Sequence, residues 1–143
     1  EVVEVSHEDW IDLVGYTLHV ENGADPKAAP LPKFSNLLIA KETDLASVPL
    51  MLKACNNTTI AQVILERTTS TVDYGRVVFY RLTLTNARVT YVAPISARTP
   101  LKEVVSFGSY DTMKWEYRPL GPDGKPGEWQ TQLWDVRSDG GES

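Results

Sequence analysis

Cysteine is nearly missing from this sequence: Cys55 is the only one in 143 residues, so no intramolecular disulfide can form. A thiol set among Leu52 and Ala54 reads as a buried residue of a reducing cytosol rather than a nucleophile. Basic charge is also short, with 14 Lys and Arg against 19 Asp and Glu, a net charge of −5 and a pI near 5.0. That balance gives no electrostatic reason to expect nucleic acid, whose binding needs clustered Lys and Arg to displace phosphate counterions, and none to expect anionic membrane. No apolar run approaches the roughly 20 residues of a membrane-spanning helix, and no basic-then-apolar leader opens the chain. The chain begins at Glu1 rather than Met, which leaves room for a removed leader. Serine hydrolase, P-loop and dinucleotide signatures are missing, and Gly124-Lys125 is followed by Pro126 in a turn where no phosphate could be cradled.

What the sequence does have is alternation. Val78, Tyr80, Leu82 and Leu84 fall on one side of a strand, with Val77, Arg81, Thr83 and Thr85 on the other. After Asn86 the apolar set moves by one residue to Ala87, Val89 and Tyr91, which predicts a bulge and a curved sheet. Further strands are expected at 60–67 and 113–119, and a last one at 128–136 after the turn Gly121-Pro-Asp-Gly-Lys-Pro-Gly127. Residues 68–75 hold turn material, and 10–20 alternate loosely, with Leu13, Tyr16, Leu18 and Val20 as core candidates. Residues 21–33 read as an extended loop and 138–143 as a disordered tail, leaving one domain over 1–137.

One short helix, 45–57, breaks the pattern. Pro49 suits a first helical turn, a cap is expected at Ser47 or slightly earlier, and Asn56-Asn57 suit a left-handed exit. Leu50, Met51, Leu52, Ala54 and Cys55 make it apolar around most of its circumference, whereas a helix lying on one sheet needs only a stripe. Two surfaces are therefore expected against it, one of them from another subunit.

Candidates for chemistry are thin. His7 and His19 are the only histidines, and a metal at His7 would need Glu8 or Asp9 and more, so a solvated surface is the favoured reading. The carboxylate pairs Asp111 with Glu116 and Asp73 with Glu66 lack an apolar pocket and read as solvated charge. Trp10, Trp115, Trp129 and Trp134 fit a core or an interface better than a stacking platform. The overlapping acceptor patterns in Asn56-Asn57-Thr58-Thr59 are assigned no role. No catalytic, cofactor or metal site is expected.

The order and spacing of Lys41, Asp44, Ser47, Pro49, Leu50, Met51, Leu52, Ala54 and Cys55, then Trp115-Glu-Tyr-Arg-Pro119, Gly121-Pro-Asp-Gly124 and Trp134-Asp-Val136, resemble the Hcp (haemolysin-coregulated protein) family. The resemblance covers residues 34–137 well and 1–33 in outline. That family forms the inner tube of bacterial type VI secretion systems. The resemblance implies a mainly β protein, an Hcp-like β-barrel of two packed, mostly antiparallel sheets with one helix on its flank. It further implies six-membered rings that stack into a tube carrying effectors, contacts with sheath and spike proteins, and passage from the bacterial cytoplasm to the outside or to a target cell. Leu50, Met51, Leu52 and Cys55 would then divide between the protein's own barrel and a neighbouring subunit. The loop Asn22-Gly23-Ala24-Asp25-Pro26 would reach the next ring, and Arg81, Thr83, Thr85 and Lys114 would face the channel or the exterior. Competing readings are a tail-tube protein of a contractile phage or phage-like particle, and a monomeric β-barrel binding module using its tryptophans.

Overall fold

The computed structural model describes residues 11–23, 27, 32–95 and 100–136. Nine strands and one helix follow in the order β1 (Gly15–Thr17), β2 (Val20–Asn22), β3 (Pro32–Phe34), β4 (Leu37–Glu42), α1 (Ser47–Asn56), β5 (Thr59–Thr71), β6 (Gly75–Ile95), β7 (Lys102–Gly108), β8 (Thr112–Tyr117) and β9 (Gln130–Asp135). Every strand pairing is antiparallel, and seven strands join in one curled sheet, as expected for a mainly β protein carrying one helix.

The long strand β6 organises that sheet. β5 pairs along one of its edges from Thr59↔Arg88 to Thr71↔Gly75. The other edge is divided: Tyr80–Thr85 pair with β8, while Arg88–Ile95 pair with β7. Two flaps therefore leave the same strand, β8–β9 from its first half and β7–β4–β1 from its second. Asn86 stands at the division with φ 51°, a left-handed backbone that asparagine tolerates better than most residues. Its Nδ2 donates to Asp111 Oδ2 at 2.8 Å, and Asp111 N donates to Thr85 O, which fixes the corner. Buried positions pass from Leu82 and Leu84 to Ala87 and Val89, the parity change read from the sequence. The register with β5 nevertheless runs straight past Asn86; it shifts between Arg67 and Thr68, and on the β7 side between Val89 and Tyr91.

Both flaps enclose one core. Leu37 and Ile39 of β4, Leu50 of α1, Leu65 of β5, Leu82, Leu84, Ala87 and Val89 of β6, Val105 and Phe107 of β7 and Met113 of β8 form it, with Tyr110 closing one end by donating its hydroxyl to Ser35 O at 2.6 Å. Phe34 of β3 meets Trp134 of β9, with ring centroids 6.4 Å apart, which brings the β2–β3 ribbon against the β8–β9 flap.

Several boundaries differ from the sequence reading. The stretch 21–33 is paired at both ends, β2 with β3 from Val20↔Phe34 to Asn22↔Pro32, because extended residues flanking a turn can satisfy each other's backbone groups. The segment 10–20 divides into β1 and β2. β5 continues to Thr71, so the turn narrows to 72–74; Thr71 Oγ1 accepts from Tyr74 N and donates to Gly75 O. β7 carries no alternation to find, since both of its faces are largely buried. The helix runs over 47–56 with Ala46 at the cap position and no side-chain cap, and Asn57 leaves it at φ 54°, the left-handed exit expected. Trp10 and the tail 138–143 lie outside the described residues.

Candidate self-assembly surfaces

α1 carries two apolar stripes. Ser47 and Leu50 are buried and Ala54 is partly buried, facing β6 and the core at i, i+3 and i+7. Val48, Met51, Leu52 and Cys55 recur at i, i+3, i+4 and i+7 on the outside, where Val48 is 77 %, Met51 43 % and Leu52 58 % exposed. Leu45, just ahead of the helix, is 98 % exposed. Of the four residues expected at an interface, Leu50 thus belongs to the protein's own core, and Met51, Leu52 and Cys55 are left uncovered. The buried thiol inferred for Cys55 is corrected: it is exposed, because the inner stripe passes through Ala54 and places its neighbour on the outer one. Leu45 and Val48 were not among the interface residues expected from the sequence, although Val48 completes the outer i, i+4 row with Leu52.

The start of α1 is held by a buried ion pair. Lys41 is fully buried and its Nζ donates at 2.9 Å to Glu103 Oε2 of β7, to Asp44 Oδ1 and to Glu42 O, with Ser47 Oγ at 3.3 Å. Ala46 N donates to Asp44 Oδ1 and Asp44 N to Ser47 Oγ, and Thr43 Oγ1 donates to Glu103 Oε1. Lys41, Asp44 and Ser47, which carried part of the sequence resemblance, are thus one polar cluster.

The polar face of β5, β6 and β8 is only partly the open surface foreseen. Thr83 is buried, lying between Ile64 and Lys114 in the cross-strand row. Arg81 Nε donates to Glu66 Oε2 at 2.6 Å and Nη1 to Glu116 Oε1 at 3.4 Å, with both carboxylate side chains mostly buried. Burial disfavours the Arg81 charge, but Glu66 and Glu116 more than offset this and raise its pKa. The guanidinium groups of Arg81 and Arg118 each stand over the Trp129 ring, at 4.8 and 4.5 Å. Thr85 and Thr112 share a hydroxyl hydrogen bond in the next row.

Of the carboxylate pairs, Glu66 and Glu116 are engaged by Arg81, and Asp111 by Asn86. Trp115 Nε1 donates to the Tyr80 hydroxyl, whose pKa burial and the neighbouring Tyr16 push up to about 12. Among the described residues no cluster of three His, Cys, Asp or Glu could hold a metal; His7, Glu8 and Asp9 lie outside them. Asn22 ends β2 and Gly23 follows beside the Lys33 side chain, while Ala24, Asp25 and Pro26 of the expected stacking loop also lie outside. In the seven-stranded sheet three strand edges stay open among the described residues: β5 pairs only with β6, β9 only with β8, and β1 only with β4.

No curated protein matches this chain by sequence. Solved structures with the same fold include a type six secretion system protein at 22 % identity and TM-score 0.83, spanning 97 % of this chain and 90 % of that one. Hcp1 from Salmonella typhimurium matches at 20 % identity and TM-score 0.76, over 97 % and 89 %. A type VI secretion system effector from Yersinia pestis matches at 18 % and 0.71, over 95 % and 92 %. The family model described as "Type VI secretion system effector, Hcp" matches residues 1–117, and the chain belongs to the Hcp family, the tube proteins of type VI secretion systems.

Proposed function

We propose that this chain is a subunit of the type VI inner tube that closes into rings of six, stacks ring upon ring, and carries effectors in the lumen. The observation that carries the reading is the outer stripe of α1. Val48, Met51 and Leu52, with Leu45 beside them, form an apolar surface that the protein's own barrel does not use. The open edges of β5 and β9 lie on different strands of one sheet, which suits a head-to-tail contact, and such a contact closes into a ring when the rotation permits. Ring-to-ring contact is assigned to the segment following β2, Asn22 to Pro26. Sheath, spike and effector proteins are the partners this role requires, with release from the cytoplasm through the apparatus. We assign the chain no turnover chemistry.

The test is light scattering with negative-stain imaging of purified protein over rising concentration. Six-membered rings are expected. A strictly monomeric species at high concentration would overturn the proposal.

A further inference from the structure

We infer that the Lys41–Glu103 pair is a positioning device: it fixes the roll of α1 on the barrel, and thereby the direction in which Val48, Met51 and Leu52 point. The part of this that concerns assembly rests on the tube reading above. The part that concerns the helix rests on geometry alone.

The apolar anchorage of α1 is narrow. Leu50 is its one buried large side chain, helped by partly buried Ala46 and Ala54. A helix seated on a single row can rotate about that row at little cost, because burial is not directional. Nor does a side-chain cap orient its first turn. What remains is the polar cluster at its start. An ammonium has three donors, and four acceptors lie within 3.3 Å of Lys41 Nζ, coming from β4, the turn, the helix and β7. Glu103 is 2 % exposed and also accepts from Thr43, whose backbone N donates to Leu101 O ahead of β7. The turn, the first helical residue and the sheet are thus bound at one point, at the start of the inner row, by directional bonds from four different segments.

Charge supports the assignment. Two carboxylates, Asp44 and Glu103, flank one ammonium, and the positive end of the α1 dipole begins at Ser47 beside them. Such a pair is a poor source of stability, since desolvating both ions consumes most of their attraction, yet directional bonds hold an orientation that greasy contact does not. The cluster therefore specifies where the helix faces more than how tightly the barrel holds.

The test replaces both partners, Lys41→Met with Glu103→Leu, so that no buried charge is orphaned. Asp44 and Ser47 keep the hydrogen bonds they make with Ala46 N and Asp44 N, so the helix start survives while its ties to Lys41, and through Lys41 to β7, are cut. The lone subunit is expected to melt at or above the wild-type temperature. Amide exchange within α1 is expected to quicken roughly tenfold relative to β6, as local opening does when one anchor is removed. The subunit concentration at half-assembly is expected to rise by a similar factor. Exchange of α1 unchanged relative to β6, or an unchanged half-assembly concentration, overturns the inference. Should the double variant not fold, Glu103→Gln reads the same exchange ratio, with faster exchange supporting the inference and wild-type exchange sinking it. A wild-type protein that never forms rings removes the tube reading, and the exchange ratio then decides the positioning role by itself.

Discussion

Substituting Leu52 by Asp separates assembly from folding. Leu52 is 58 % exposed in the lone subunit, so more than half of its side chain awaits cover. Full burial of a leucine is worth about 1.5–3 kcal/mol, which puts the part still to be gained at an interface near 1–2 kcal/mol. An aspartate there forfeits that gain and adds the cost of drying an unpaired carboxylate, several kcal/mol more. A loss of about 3 kcal/mol per contact already weakens each one over a hundredfold. The isolated fold is affected little, by roughly 0.5 kcal/mol of helix propensity. Leu50→Ala is the contrasting change, because Leu50 is 8 % exposed within the core and its truncation costs about 2–5 kcal/mol, a fall in Tm of roughly 5–15 °C. Sedimentation velocity, negative-stain imaging and thermal melts of dilute protein read both variants. Leu52→Asp is expected to melt like wild type yet remain a monomer, and Leu50→Ala to melt early. Normal rings from Leu52→Asp, or a melt lowered as far as that of Leu50→Ala, would refute the division of α1 into two stripes.

Three further outcomes are expected. Gly124→Ala will cost about 1–3 kcal/mol in urea unfolding, since φ is 88° there and a new Cβ would meet the Thr71 side chain; an unchanged midpoint would contradict the close approach of the two turns. Asn86→Gly, which keeps the backbone free but drops the bond to Asp111, will lose about 1 kcal/mol, and Asn86→Val distinctly more; equal losses would mean the left-handed corner carries no strain. Burial raises the Tyr110 phenol to about 12, and burial together with Tyr16 raises Tyr80 to about 12. Their folded pKa values exceed the unfolded value near 10, so the folded state keeps protons that the unfolded chain releases. Their contribution is whole below pH 10 and drains away as pH climbs through 12. Tyrosinate absorbance that rises fully by pH 10 while the fold persists would contradict this.

The sequence shows the strands best where one face is dry. In β6 and β8 the alternation of Leu82, Leu84 and Met113 with Arg81, Thr83 and Lys114 was readable, and so was the parity change across Asn86. β7 was hidden because Glu103 sits inside, a position that makes sense only once Lys41 arrives from 62 residues away. For the same reason the Lys41, Asp44, Ser47 spacing was recognisable as a pattern but not as an ion-paired cluster: its fourth member lies on another strand. The helix declared its surplus of apolar residues, yet not which of them face outward. That division depends on where β6 passes beneath Leu50, and it is what turned the inferred buried Cys55 into an exposed one.

Chain order gives the pairing of β4 with β7 a temporal meaning. Leu37 finds Phe107, and Glu42 finds Lys102, only after the ribosome has added the 60 to 70 residues that separate them. Glu103, which holds the root of α1, arrives equally late. On the proposed assembly, the outer stripe of α1 is aimed at a sibling only once β7 has joined β4, after α1, β5 and β6 have been made.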